Sequence, residues 1–97
     1  MNFDFEQVHN YYERLVFERV VETSDAHPEL NAETLADVAC VALNRLPARY
    51  VRHDVDMMFY LTEPERHAIE KALDEAMAFA FQFVTQRLAK RSGDGSV

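Results

Sequence analysis

The chain has 97 residues, enough for one domain with a single core. Its net charge of -7 argues against binding DNA or RNA polymers, and it has neither a membrane-spanning stretch nor the pattern of a signal peptide. Its single cysteine excludes an internal disulfide and a cysteine zinc cage. We therefore expect a cytoplasmic protein, and the scarcity of Gly and Pro favours a few long helices.

The first predicted element is a helix that extends to about Thr23. Asp4 and Gln7 have the spacing of a capping box, in which each side chain bonds a backbone N–H of the first turn. Apolar residues then recur at spacings of three and four, which places them on one helix face. They are Phe5, Val8, Tyr12, Leu15, Val16 and Val20.

A second helix is predicted from Asn31, whose side-chain oxygen can cap it, to about Arg45. Its apolar stripe comprises Leu35, Val38, Ala39, Ala42, Leu43 and Leu46. Pro47 cannot continue the helical hydrogen bonds, so the chain is expected to turn there.

The segment 48–53 is expected to be extended, because Tyr50 and Val51 are β-prone. So short a strand would need a copy from a second chain to pair with. Asp54 is the predicted cap of a short helix that reaches Leu61.

A long helix is predicted from the capping box of Thr62 and Glu65 to about residue 91. A strand with alternating Phe at 79–83 is the competing interpretation, but the Ala residues between them favour a helix. Residues 77–84 are apolar except for Gln82, so this part must be covered on several sides. We therefore expect a homodimer whose interface includes this segment.

Together these elements predict an all-α fold with three main helices and a short extended segment. Residues 1–91 form one domain in this interpretation, and residues 92–97 form a disordered polar tail.

The run from Asp37 to Val51 resembles the signature of the ComFB family of late competence proteins. In that family, an Asp and an apolar helical run lead into Ala-Leu-Asn-Arg-Leu-Pro-Pro-x-Tyr-Val. The segment 12–16 resembles the family's opening helix more loosely. Ala48 replaces the commoner second Pro, and Asn31 and Thr34 stand where some relatives have a cysteine cluster, so zinc binding is not expected.

The resemblance implies a small helical domain that dimerises, and some relatives are described as receptors for cyclic dinucleotides. We therefore expect a non-enzymatic module that binds cyclic di-GMP and signals through a protein partner. The alternative is an interaction or scaffold protein linked to competence, motility or DNA uptake, without a small-molecule ligand.

The predicted ligand-binding residues surround the proline turn: Asp37, Asn44, Arg45, Arg49 and Tyr50. An Arg can bind a phosphate or stack on a base, Tyr50 can stack, and Asn44 or Asp37 can read a guanine edge. In the alternative interpretation these residues are structural: Asn44 caps the helix, Arg45 pairs with an acid and Tyr50 packs in the core.

Other reactive residues give weaker signals. Cys40 is expected to be inert packing, and His9 with Glu13 supplies only two of the ligands a metal needs. The sequence has no phosphate loop and no nucleophile elbow. We therefore expect no catalytic residues, no metal and no cofactor.

Overall fold

The computed structural model describes residues 1–95, and side chains as far as residue 91. In this part of the chain, four helices and a two-stranded sheet follow in the order β1 (His9–Asn10), α1 (Tyr12–Ser24), α2 (Ala32–Arg45), β2 (Tyr50–Val51), α3 (Val55–Tyr60) and α4 (Glu63–Gly95). The predicted all-α class is confirmed, with α1, α2 and α4 as the three main helices. None of the helices within residues 1–95 is long and apolar enough to cross a membrane.

The core forms where α2 packs against both α1 and α4. The largest fully buried side chains are Val16, Val38 and Leu73, one from each of these three helices. Burial of each such side chain contributes roughly 1.5–3 kcal/mol. The three helices are therefore held together at one shared centre.

The boundaries of α2 agree with the prediction. Asn31 Oδ1 accepts a hydrogen bond from Thr34 N at 2.9 Å, and Thr34 Oγ1 accepts one from Asn31 N at 2.8 Å. At the other end, Leu46 is extended, with φ of -102° and ψ of 140°, as expected for a residue that precedes proline.

The predicted start of the first helix at Asp4 is wrong, because α1 begins at Tyr12. Asp4 Oδ1 accepts a hydrogen bond from Glu6 N at 3.0 Å in a local turn instead. Phe3 and Phe5 are largely exposed, so the apolar pattern at the N-terminus has no core to pack against.

The two short strands form an antiparallel ribbon within the chain, in which Asn10 lies opposite Tyr50. The expectation that the strand at Tyr50 and Val51 needs a second chain is therefore wrong. Buried Asn10 secures the ribbon, since its Oδ1 accepts hydrogen bonds from Tyr12 N at 3.3 Å and Arg49 N at 3.0 Å. One side chain thus joins the start of α1 to the segment that carries Arg49 and Tyr50.

The short helix predicted after Asp54 is confirmed as α3, but Asp54 makes no side-chain cap. Its carboxylate accepts hydrogen bonds from His9 Nε2 at 2.5 Å and from Arg14 Nε at 3.0 Å. Since His9 is on β1 and Arg14 on α1, this ion-pair cluster joins three elements.

The charges in this cluster stabilise one another. His9 Nδ1 lies 2.6 Å from Gln7 O and Nε2 faces Asp54, so both ring nitrogens must carry a proton to make both bonds. The Gln7 carbonyl and then Asp54 raise the pKa of His9 above its ordinary value. Burial opposes the charged form of Asp54, but hydrogen bonds from His9 and Arg14 outweigh it, and the pKa of Asp54 is lowered.

Helix α4 begins as predicted, with Thr62 Oγ1 accepting a hydrogen bond from Glu65 N at 3.3 Å. The competing strand at 79–83 is wrong, since these residues lie inside the helix. The helix continues to Gly95, past the predicted end at residue 91 and into the predicted disordered tail. Residues 96 and 97 lie outside the described residues, so for them the tail stays a prediction.

We expect the substitution Asn10→Ala to lower the free energy of unfolding by about 1–3 kcal/mol, because two backbone N–H groups lose their acceptor. Urea unfolding followed by circular dichroism measures the loss. Asn44→Ala is the matched control at an exposed position and should change stability by no more than about 0.5 kcal/mol. Equal losses in the two variants would contradict the role given to Asn10.

The His9 cluster predicts a pH dependence of stability. The contribution of His9 is complete below its unfolded pKa and is lost as pH rises through its higher folded pKa. The contribution of Asp54 is lost as pH falls through its lowered folded pKa, so the pair stabilises most in mildly acidic solution. We expect the urea midpoint of His9→Gln to fall less than that of wild type between about pH 6 and pH 8. His67→Gln should retain the wild-type profile, and a wild-type profile in His9→Gln would refute the assignment.

Candidate functional site

Helices α2 and α4 run antiparallel, which brings the charged end of α4 to the start of α2. The Arg45 guanidinium, at the end of α2, lies 3.9 Å from the ring centre of Phe79. Asp37, two turns earlier, borders a groove with Arg87 and Arg91, near the end of α4. Residues that are far apart in sequence therefore share one surface.

Four side chains form a continuous row on this surface, which we call the Arg–Phe strip: Arg45, Phe79, Phe83 and Arg87. The rings of Phe79 and Phe83 are stacked, with centroids 5.8 Å apart and planes at 22°. The Arg87 guanidinium lies 5.7 Å from the Phe83 ring centre. The row arises because residues four apart on α4 lie on the same helix face.

Both rings of the strip remain accessible, Phe79 at 36% and Phe83 at 38%. The other large apolar residues of this segment, Met77, Phe81 and Val84, are buried within the chain. The apolar stretch of α4 is thus covered by its own chain on one side and by two arginines on part of the other.

The groove beside the strip encloses about 340 Å³. Its α2 wall includes Asp37 and Val41, and its α4 wall includes Phe83, Arg87 and Arg91. It therefore combines an aromatic ring, two cations and one carboxylate. Such a set can stack on a planar base, bind a phosphate and accept hydrogen bonds from a base edge.

The structure divides the predicted ligand residues between two places. Asp37 lines the groove and Arg45 belongs to the strip, while Asn44 is exposed on the same face of α2 as Asp37. Tyr50 lies on the ribbon and Arg49 directly precedes it, where Arg49 O accepts a hydrogen bond from Tyr11 N at 2.7 Å.

The structural alternative does not describe these side chains well. The ring of Tyr50 is 70% exposed and so does not pack in the core. Among the described residues, Arg45 has no acidic partner and contacts Phe79 instead. The helix cap after α2 is Leu46 and not Asn44.

Sequence reasoning missed Phe79, Phe83, Arg87 and Arg91 as site residues. Their four-residue spacing was the available signal, because it places all four on one face of a helix. The two arginines suit the negative end of the helix dipole equally well, and that interpretation concealed their position opposite Asp37.

One other sequence expectation, the burial of Cys40, has a clear outcome. Cys40 is exposed, so its predicted role in buried packing is wrong. His9 is engaged by Gln7 and Asp54. Within the described part of the chain, no three His, Cys, Asp or Glu side chains are grouped closely enough to hold a metal ion.

Comparison with known proteins adds one finding. Residues 9–88 match the model of the family described as late competence development protein ComFB, and this range contains both strands, α1 to α3 and the Arg–Phe strip. Searches of the curated proteins and of the solved structures gave no match. Because the family model covers most of the chain, this protein belongs to the ComFB family.

Proposed function

We propose that this competence-related module is a non-enzymatic cytoplasmic receptor for cyclic di-GMP, and that it signals by changing its affinity for a protein partner. The observation that supports the proposal is the Arg–Phe strip beside a groove containing Asp37, Arg87 and Arg91. A cyclic dinucleotide has planar bases and phosphates, and this surface offers accessible aromatic rings and cations for them.

Each part of the ligand has a chemical counterpart on this surface. A guanine base stacks on a guanidinium plane of the strip, because arginine binds flat π-systems through its own delocalised plane. Arg87 and Arg91 bind phosphate oxygens through charge-assisted hydrogen bonds. Arg49, which precedes β2, and Tyr50, on β2, are both exposed and are further proposed contacts.

Asp37 gives the proposal its base preference. A carboxylate accepts hydrogen bonds, and guanine offers two adjacent N–H donors at its Watson–Crick edge. Adenine has an acceptor at the corresponding ring position, so it would leave one carboxylate oxygen unpaired or repelled. The site should therefore prefer cyclic di-GMP to cyclic di-AMP.

A homodimer is part of the proposal, because cyclic di-GMP has twofold symmetry and two strips related by a twofold axis would present each group twice. The partly exposed rings of Phe79 and Phe83 support such an interface, since each would lose more contact with water on association. Binding alone would transmit the signal, so no catalytic group is required.

A protein–protein scaffold without a nucleotide ligand is the second candidate. An apolar groove between α1 and α2 favours it, because a protein partner can dock in such a groove. This groove lies on a different surface from the Arg–Phe strip, so partner binding there would not require a nucleotide. A pull-down of a partner that is unaffected by added cyclic di-GMP would support the scaffold over the receptor.

We expect Arg45→Ala/Arg87→Ala to weaken cyclic di-GMP binding more than tenfold in isothermal titration calorimetry, because stacking and phosphate contacts are both lost. Lys71→Ala removes an exposed cation from another part of α4 and should bind like wild type. Asp37→Asn should reduce the preference for cyclic di-GMP over cyclic di-AMP. No heat for wild type at tens of micromolar ligand would refute the receptor, and normal binding by the folded double variant would refute the site.

The proposed dimer predicts that Phe79→Lys/Phe83→Lys sediments as a monomer at concentrations where the wild type is a dimer, since burial of the new charges would oppose association. Analytical ultracentrifugation over a concentration series measures this. Phe59→Lys changes a more exposed Phe on α3 and should leave the dimer intact. Monomeric wild type at every concentration would exclude the interface.

A further inference from the structure

The groove between α1 and α2 is an apolar surface that the proposed receptor site does not use. It encloses about 430 Å³, and its lining is apolar apart from the thiol of Cys40. Phe17 and Val21 form part of the α1 wall and are 49% and 71% exposed. Leu35 and Leu43 belong to the α2 wall and are only partly buried.

Both edges of this groove are acidic. Glu18 and Glu22 each follow a lining position on α1 by one residue, which places them about 100° further round the helix, on the side away from the core. Glu33 has the same relation to the lining residue Ala32 on α2. All three acids are exposed. The groove therefore has two carboxylates along its α1 edge and one along its α2 edge.

The basic residue on this edge of α1 is already neutralised. Arg14 Nη1 donates to Glu18 Oε1 at 2.9 Å, and Arg14 Nε donates to Asp54 Oδ2 at 3.0 Å. Glu22 and Glu33 have no ion-pair partner among the described residues. These two carboxylates are the most available for a positively charged partner.

We propose that this groove docks an amphipathic helix of another protein, with an apolar stripe flanked by Lys or Arg. The apolar stripe would cover Phe17, Val21 and Leu43, as helices in hydrophobic grooves do, and the flanking cations would meet Glu22 and Glu33. The acidic edges disfavour a second copy of this face, because a twofold pairing would bring like charges together. Docking of this helix does not depend on nucleotide binding at the Arg–Phe strip.

A fluorescein-labelled synthetic peptide of about 18 residues, with Leu at i, i+3, i+4 and i+7 and Lys on both flanks, is a direct probe. Fluorescence anisotropy with the full-length protein should show saturable binding that weakens as salt is raised, because the flanking contacts are exposed. A peptide of the same composition in scrambled order should bind at least tenfold more weakly. Equal binding of the two peptides would overturn the proposal, because it would show unspecific charge attraction.

Charge-reversal variants test which acidic residues contact the peptide. Glu22→Lys/Glu33→Lys should weaken binding of the ordered peptide at least tenfold. The control Glu6→Lys/Glu75→Lys makes the same change in net charge at exposed positions outside the groove and should have less than a threefold effect. Equal weakening in the two variants would contradict the assignment, as would wild-type binding by the folded Glu22 and Glu33 variant.

Cys40 provides a second readout, because it is the single cysteine and borders both this groove and the groove beside the Arg–Phe strip. Saturating peptide should slow its alkylation by maleimide severalfold in the wild type but not in Glu22→Lys/Glu33→Lys, and an unchanged rate in the wild type would place the peptide elsewhere. If peptide fails to bind and Val21→Lys instead converts a dimer to a monomer, a second copy covers the groove and the proposal is wrong.

Discussion

The structure depends on the packing of one helix, α2, against two others. Val38 and Ala42 of α2 are completely buried, and the contacts with α1 and α4 meet around them. Since opposite flanks of α2 face different neighbours, each flank forms one wall of a groove. One groove is aromatic and rich in cations, whereas the other is apolar with acidic edges. The core thus determines both surfaces, and a change that displaces α2 should disturb both.

In the Arg–Phe strip, neighbouring side chains cover part of an accessible aromatic surface. Phe79 and Phe83 stack on each other, and guanidinium groups cover part of each ring. An isolated cation–π contact at an exposed site contributes only about 0.5–1 kcal/mol. A planar ligand that stacks on the same groups therefore displaces little stabilising contact. This low cost is the physical basis for proposing that the strip binds a base.

Local chemistry made much of the fold predictable. The Asn31 capping box, the turn at Pro47 and the start of α4 at Thr62 depend on residues within three positions of one another, and all agree with the structure. The wrong predictions concern residues whose partners are distant in the sequence. Asp54 has the spacing of a cap, but its carboxylate binds Arg14, and the strand at Tyr50 pairs with a segment some forty residues earlier. Only part of the candidate site could be proposed from the sequence: Asp37 and Arg45 belong to the family signature, whereas their neighbours on α4 are brought to them by the antiparallel packing of α2 and α4.

The central claim is that the Arg–Phe strip is the nucleotide-binding surface, and NMR of the aromatic rings tests it most directly. In protein labelled with carbon-13 at phenylalanine, titration with cyclic di-GMP should shift the ring resonances of Phe79 and Phe83, because a stacked base changes their magnetic environment. Phe17, in the other groove, and Phe59, on α3, should stay unchanged. Shifts confined to Phe17 or Phe59, or no shift at saturating ligand, would contradict the account.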